Sequence, residues 1–237
     1  MAKRKTRSQN FSKPIRWFWM AFLAAVSTVA LIFILASFGA FGAMPDHTAL
    51  ENPRTNLATE IISADGETLG KFYYEDNRTP VAFNELPKHL VDALIATEDV
   101  RYFDHAGIDV RGTIRAFAFL GKRGGASTIS QQLARQLFVG VRTKNKLEAV
   151  IQKIKEWVIA TRLERQYTKE EIIAQYFNIY DFGNNADGIR SASRIYFGKE
   201  PIELSCNESA MLVGMFKNSS LYNPRPKRNP IGTRNRR

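Results

Sequence analysis

"NKLEAVIQKIKEWVIATRLERQY", residues 145–167, decides the class of fold. Apolar residues return at helical spacing among charges, so the stretch predicts one long amphipathic helix from about Asn145 to Arg165. It is also a store of positive charge. Residues 142–165 hold Arg142, Lys144, Lys146, Lys153, Lys155, Arg162 and Arg165 against three glutamates. Lys153 and Glu156 lie three apart and share a face, while Lys155 and Arg162, two turns apart, share another. A solvated charged face accounts for Lys144, Lys146 and Arg165. Lys153, Glu156 and Arg162 are the candidates for a site.

Outward from this helix the chain keeps a helical pattern. "KHLVDALIATED" puts Leu90, Ala93, Leu94 and Thr97 on one face and ends at Glu98. "STISQQLARQLFV" opens on a Ser-Thr cap candidate and continues with Ile129, Leu133 and Leu137. "TKEEIIAQYFNIY" opens with Thr168 and Glu171, the Thr-x-x-Glu capping-box pattern. "GIRSASRIYFG" and "NESAMLVGMFK" predict two further helices. Before them, "TEIISADGETLGKFYYE" has β-rich runs flanking Asp65-Gly66, a hairpin turn signal. The expectation is a mainly α domain with a short N-terminal β-hairpin.

The N-terminus is of another kind. "WFWMAFLAAVSTVALIFILASFGAFGAM", Trp17 to Met44, carries no charge and is long enough to cross a hydrocarbon core of ~30 Å as a helix. It exceeds the apolar region of a cleaved signal peptide, about 7–15 residues. Six cations precede it and Asp46 and Glu51 follow it, which orients the N-terminus to the cytoplasm. The expected organisation is a basic cytoplasmic tail (1–16), a transmembrane signal anchor (17–44), an extracytoplasmic hairpin and linker (45–87) and a main domain (88–237). The net charge of +11 resides in the six cations of residues 1–16 and the six of residues 225–237, where there are no acids. The other 22 basic residues meet 23 acidic ones, so the body has no basic excess and nucleic acid is not an expected partner. Cys206 is the only cysteine, which excludes an intrachain disulfide and gives no Cys-based metal site.

Chemistry concentrates in two places. "ATEDVRYFDHAGID", residues 96–109, sets Glu98 beside Asp99, then His105 and Gly107. Taken alone, Glu98 is equally a general base or an exposed helix-end carboxylate. "GGASTISQQLARQ", residues 124–136, offers glycines for close backbone approach and Ser127, Thr128, Gln131 and Gln132 as neutral donors and acceptors, with Arg135 nearby. An ordinary cap and polar face explains Ser127 but not the paired glutamines. His105 is read as a hydrogen-bonded structural histidine, with a catalytic role as the alternative.

These stretches recur in order. Glu98-Asp99-x-x-Tyr102-x-x-His105-x-Gly107, "GASTISQQLAR", "QKIKE", "KEEIIAQYFN" and "ASRIYFGK" together resemble the peptidoglycan glycosyltransferase domain of class A penicillin-binding proteins, family 51 of the glycosyltransferases, over roughly residues 60–224. The resemblance implies a lysozyme-like fold and an inverting enzyme that polymerises lipid II into β-1,4-linked glycan strands with release of polyprenyl diphosphate. It implies that Glu98 is the base for the acceptor hydroxyl, and that Glu156 is a second essential glutamate near the diphosphate, sometimes with a divalent metal such as Mg or Mn. Asp99, Ser127, Thr128, Gln131, Gln132, Arg135, Lys153 and Arg162 are the implied substrate-binding set. No organic cofactor is expected. Partners would be lipid II, the growing glycan strand, the cytoplasmic membrane and cell-wall synthesis proteins. The family rests the region of "RAFAFLG", with Phe117, Phe119 and Leu120, on the membrane; core packing is an equal reading.

Two departures stand out. The family's third motif usually starts Arg-Lys, and this chain has Gln152-Lys153, so one phosphate contact is missing or comes from Arg135 or Arg142. The segment "IISADGETLGKFYYEDNRTPVAFNELP" resembles what precedes this domain in two-domain class A proteins, while the chain stops at "NPIGTRNRR", where the family continues a helix. A truncated two-domain protein is the expectation, although no Ser-x-x-Lys or Lys-Thr-Gly supports transpeptidase chemistry. Two other functions stay open at this point: a lysozyme-like glycan hydrolase, which also uses two carboxylates, and a non-catalytic membrane-anchored cell-wall scaffold.

Overall fold

The computed structural model describes residues 12–51, 59–65, 68–72, 78–119, 125–217 and 219–224. The chain divides between Met44 and Pro45 into two compact units. The first contains helix α1, Ser12–Ser37. Its apolar stretch has a mean hydropathy of 2.4 over its most apolar window and none of that window is buried, so length and composition suffice to cross a membrane. The helix ends before the apolar run does. Gly39 and Gly42 take φ of 80° and 112°, backbone that glycine adopts without steric cost and a helix does not contain.

The second unit is mainly helical, as the sequence predicts. It opens with α2, His47–Glu51, whose first turn is closed by the Asp46 carboxylate accepting from the Ala49 N–H at 2.8 Å. Strands β1, Thr59–Ile62, and β2, Thr68–Phe72, pair antiparallel with Thr59 opposite Phe72 and an irregularity between Ile61 and Ile62. The hairpin therefore forms around the Asp65-Gly66 signal, with Gly66 itself outside the described residues.

The core is built on α3 (Lys88–Glu98), α5 (Ile129–Ala134), α6 (Lys146–Gln166), α7 (Lys169–Ile179), α8 (Gly188–Phe197) and α9 (Cys206–Lys217), with α4 (Val110–Ala118) and α10 (Ser219–Tyr222) between and after them. Short α5 is central: it packs on α6 and α7, and Ile129, Ser130, Gln131, Leu133 and Ala134 are all buried. Helix α3 packs on α9 and buries Leu90, Val91 and Leu94. The capping box foreseen at Thr168 is present: its hydroxyl accepts from the Glu171 N–H at 3.2 Å, and Glu171 Oε2 accepts from the Thr168 N–H at 2.7 Å.

Two features differ from simple helical patterning. After α5 the backbone widens into a π-helical turn over Arg135–Val139, closed by the Gly140 N–H donating to the Arg135 carbonyl at 2.8 Å. And α6 is amphipathic only in its second half. Glu156, Val158, Ile159, Ala160 and Leu163 are buried, whereas Leu147 and Val150 are exposed. Phe117 is 85% exposed and Phe119 is also exposed, so core packing of that region is ruled out for both; Leu120 lies outside the described residues.

Candidate active site

Glu98 is the last residue of α3. The helix stops because Asp99 leaves helical geometry, with φ −157° and ψ 75°. The Asp99 side chain is buried and spent within the protein: Oδ2 accepts from His105 Nε2 at 3.1 Å and from the Ile129 N–H at 3.2 Å. His105 therefore rests its Nε2 on a buried carboxylate. Thr128, the N-cap of α5, donates its hydroxyl to the Gly107 carbonyl at 2.7 Å, and Gln131 Nε2 donates to the same oxygen at 3.1 Å. Gly107 has φ +84°, and a Cβ there would meet the Ala160 backbone of α6 at 3.0 Å. Only glycine lets this turn lie against α6. The first two motifs and the third are therefore pinned to one another through backbone and buried polar groups.

A cavity of about 450 Å³ opens beside them. Among the foreseen residues, Glu98, Asp99, Ser127, Thr128, Gln132 and Arg135 line it. Three further cations, Arg101, Arg115 and Arg142, line it as well. Arg101 is neutralised by an ion pair with Asp109. Burial pushes the Asp109 carboxyl up, but Arg101 and the Gly112 N–H outweigh that and hold it below the usual range. Among the described residues, Arg115, Arg135 and Arg142 have no carboxylate partner. These guanidinium groups are the ones left to an anionic ligand.

Glu98 is half-buried, and its Oε2 accepts from Gln132 Nε2 at 2.8 Å. Glu156 is 3% exposed and accepts from Lys153 Nζ at 2.9 Å. The same ammonium donates to Ser127 Oγ and to Gln131 Oε1, both at 2.9 Å, so its three N–H donors are all occupied. Burial pushes the Lys153 ammonium below its ordinary value, the Glu156 contact opposes this, and the nearby Arg142 and Arg135 add to the lowering. Lys153 and Gln131 thus act behind Ser127 rather than on the cavity wall. Arg162 is not among the lining residues; its guanidinium donates to the Pro45 carbonyl at 3.3 Å.

Gln152, where the family pattern has arginine, has a defined task. Its Oε1 accepts from the Thr143 N–H at 3.2 Å and its Nε2 donates to the Val141 carbonyl at 3.1 Å. The amide grips the backbone on both sides of Arg142, whose side chain lines the cavity. Sequence reasoning named Arg142 but not the grip, and missed Arg101, Arg115 and Tyr176. Arg115 stands in the last turn of α4, in a stretch read for its phenylalanines. Tyr176, whose hydroxyl donates to Gln132 Oε1 at 2.9 Å, looks in the sequence like one more large residue in an apolar run.

A family model described as Transglycosylase matches residues 65–237. Penicillin-binding protein 1A of Escherichia coli (strain K12) is 40% identical over 185 residues, covering 76% of this chain and 21% of that protein. Penicillin-binding protein 1F of Bacillus subtilis (strain 168) is 36% identical over 210 residues, 86% of this chain and 27% of its own. Penicillin-binding protein 1A of Pseudomonas aeruginosa is 34% identical over 214 residues, 89% and 25% respectively. The chain spans about a quarter of the length of these relatives. With a matching family model over most of its length and a polar, arginine-lined cavity where the motifs meet, the chain belongs to the transglycosylase family.

Proposed function

We propose that this chain is a peptidoglycan glycosyltransferase that polymerises lipid II into β-1,4-linked glycan with inversion at the anomeric carbon. The observation that carries the reading is one half-buried carboxylate, Glu98, sharing a cavity with three guanidinium groups, those of Arg115, Arg135 and Arg142, that have no carboxylate partner among the described residues. Glu98 takes the proton of the acceptor 4-hydroxyl as that oxygen bonds to C1 of the donor sugar. The C1–O bond to the diphosphate breaks, and the electron pair leaves with polyprenyl diphosphate. Negative charge grows on the leaving group only as that bond breaks, so cations held there stabilise the transition state more than the ground state. A general base contributes typically 10²–10⁴-fold. Ser127, Thr128 and Asp99 shape the wall, and Glu156 keeps Lys153 charged behind it.

The carboxylate expected to meet a divalent cation, Glu156, is already engaged by Lys153. Among the described residues there is no group of three His, Cys, Asp or Glu side chains able to hold a metal. Such an ion would have to draw its other ligands from substrate phosphates and water, the usual habit of Mg²⁺. In this reading α1 anchors the protein in the cytoplasmic membrane with the N-terminus inside, and the exposed Ile114, Phe117 and Phe119 rest on its outer face, close to a lipid-borne substrate.

The test is incubation of the detergent-solubilised chain with lipid II, followed by electrophoresis. A ladder of glycan strands is expected. Soluble fragments released from sacculi, without polymer from lipid II, would overturn the reading in favour of a hydrolase.

A further inference from the structure

The amide of Gln132 lies between two groups that determine which way it faces. Its Nε2 is 2.8 Å from Glu98 Oε2, and its Oε1 is 2.9 Å from the Tyr176 hydroxyl. An ionised carboxylate only accepts, so Gln132 must turn its NH2 to Glu98. Its carbonyl oxygen then faces Tyr176, and the phenol must donate. Turning the amide over would set oxygen against oxygen at Glu98. Tyr176 is 1% exposed on α7, and its ring stacks on Phe216 at 5.0 Å between centroids with an 18° interplanar angle. That packing fixes where the hydroxyl stands. Burial, and after it the charge of Glu98, pushes the phenol pKa upward, which keeps the proton on the tyrosine oxygen.

We propose that Tyr176 is a positioning residue for the base: by donating to Gln132 it fixes the amide that holds Glu98 Oε2, leaving Oε1 to take the acceptor's proton. The proposal rests on the reading of Glu98 as base. Its physical content is preorganisation. A buried phenol, held by an aromatic stack, transmits its rigidity through one amide to a carboxylate that is itself half open to solvent. Without the phenolic donor, Gln132 keeps its NH2 toward Glu98 but loses the anchor at its carbonyl end and can swing, and Glu98 loses a fixed orientation rather than its chemistry.

The test is steady-state polymerisation of lipid II by the wild type, Tyr176→Phe, Gln132→Met and the double variant. Tyr176→Phe keeps the ring and its stack. It is expected to lower kcat by about tenfold, short of the 10²-fold or more for loss of a base, with KM within about twofold of wild type. Gln132→Met is expected to lower kcat at least as much. In its background Tyr176→Phe should add no further loss, because the path from Tyr176 to Glu98 is already cut. An equal kcat loss from Tyr176→Phe with and without Gln132, or a change confined to KM or melting temperature, would overturn the proposal. Should Tyr176→Phe fail to fold, Gln132→Glu retains an acceptor for Tyr176 but loses the donor to Glu98, and an unchanged kcat there would also overturn it. Absence of polymer from the wild type would sink the glycosyltransferase reading and this one together, whereas wild-type polymer with independent losses sinks only this one.

Discussion

The two glutamates of the site occupy opposite kinds of environment. Glu98 ends a helix, is half-buried on a cavity wall, and has a neutral amide as its hydrogen-bond partner. Glu156 is in the middle of α6, almost fully buried, and committed to an ammonium. A carboxylate that must take and return a proton needs access and a partner that does not neutralise it. A carboxylate that must hold a cation in place needs burial and an ion pair. The surroundings, rather than the residue type, separate the two roles.

Replacing both by glutamine is the sharpest way to break this contrast. Glu98→Gln keeps the size of the side chain and all the cations, so a diphosphate-containing inhibitor should still bind while the polymerisation rate falls by about 10²-fold or more. Near-normal turnover would end the assignment of Glu98. Glu156→Gln should cost less in rate but alter its pH dependence. Burial already lowers the Lys153 pKa and Glu156 opposes that, so removing Glu156 lowers it further. The ammonium then loses its proton at a lower pH, and the alkaline limb of the pH–rate profile should move to lower pH than in wild type. An unmoved alkaline limb would contradict the pairing. The same two variants, assayed across a magnesium or manganese series, should differ: only the Glu156→Gln defect is expected to vary with ion concentration.

Arg142→Ala sharpens the comparison on the cation side. It should weaken inhibitor affinity and slow turnover by about tenfold, the scale of one charge-assisted phosphate contact. Gln152→Ala, which frees the backbone around Arg142, should reproduce part of that loss, as affinity measurements on both would reveal. The smallest effect belongs to Thr168→Ala, at the start of α7. Loss of the cap should cost about 1 kcal/mol of stability and leave turnover per folded molecule unchanged. A matching loss of turnover would mean that this end of α7 helps to set the site.

The sequence made the helices legible because caps and periodicity are local. Thr168 with Glu171 needs only three residues of context, and the helical spacing of "KHLVDALIATED" needs a dozen. What stayed hidden was tertiary. Leu147 and Val150 fit an amphipathic pattern and yet face solvent, because the neighbours of this half of α6 engage Gln152 and Lys153 on other faces. Lys153 is one of four Lys or Arg residues between 153 and 165, and only folding shows that its three donors are consumed by Ser127, Gln131 and Glu156. Arg162 shares the helix but turns to Pro45. Gln152 read as a deficit; its two backbone contacts, to residues nine and eleven positions earlier, show an amide used as a brace.

The bonds from Asp99 to the Ile129 N–H and from Thr128 to the Gly107 carbonyl close a circuit of chain, with α4 on the connecting path. Closing such a circuit is an entropic matter that depends only logarithmically on how much chain it contains, about 0.6 kcal/mol for each doubling. The geometry at Glu98 is set by the two ends, so the connection between them can be lengthened or rewritten with little thermodynamic penalty. In evolutionary terms, the stretch between the two ends is where selection can add or exchange residues, provided Arg115 keeps its place on the cavity wall, while the arrangement around Glu98 stays as it is.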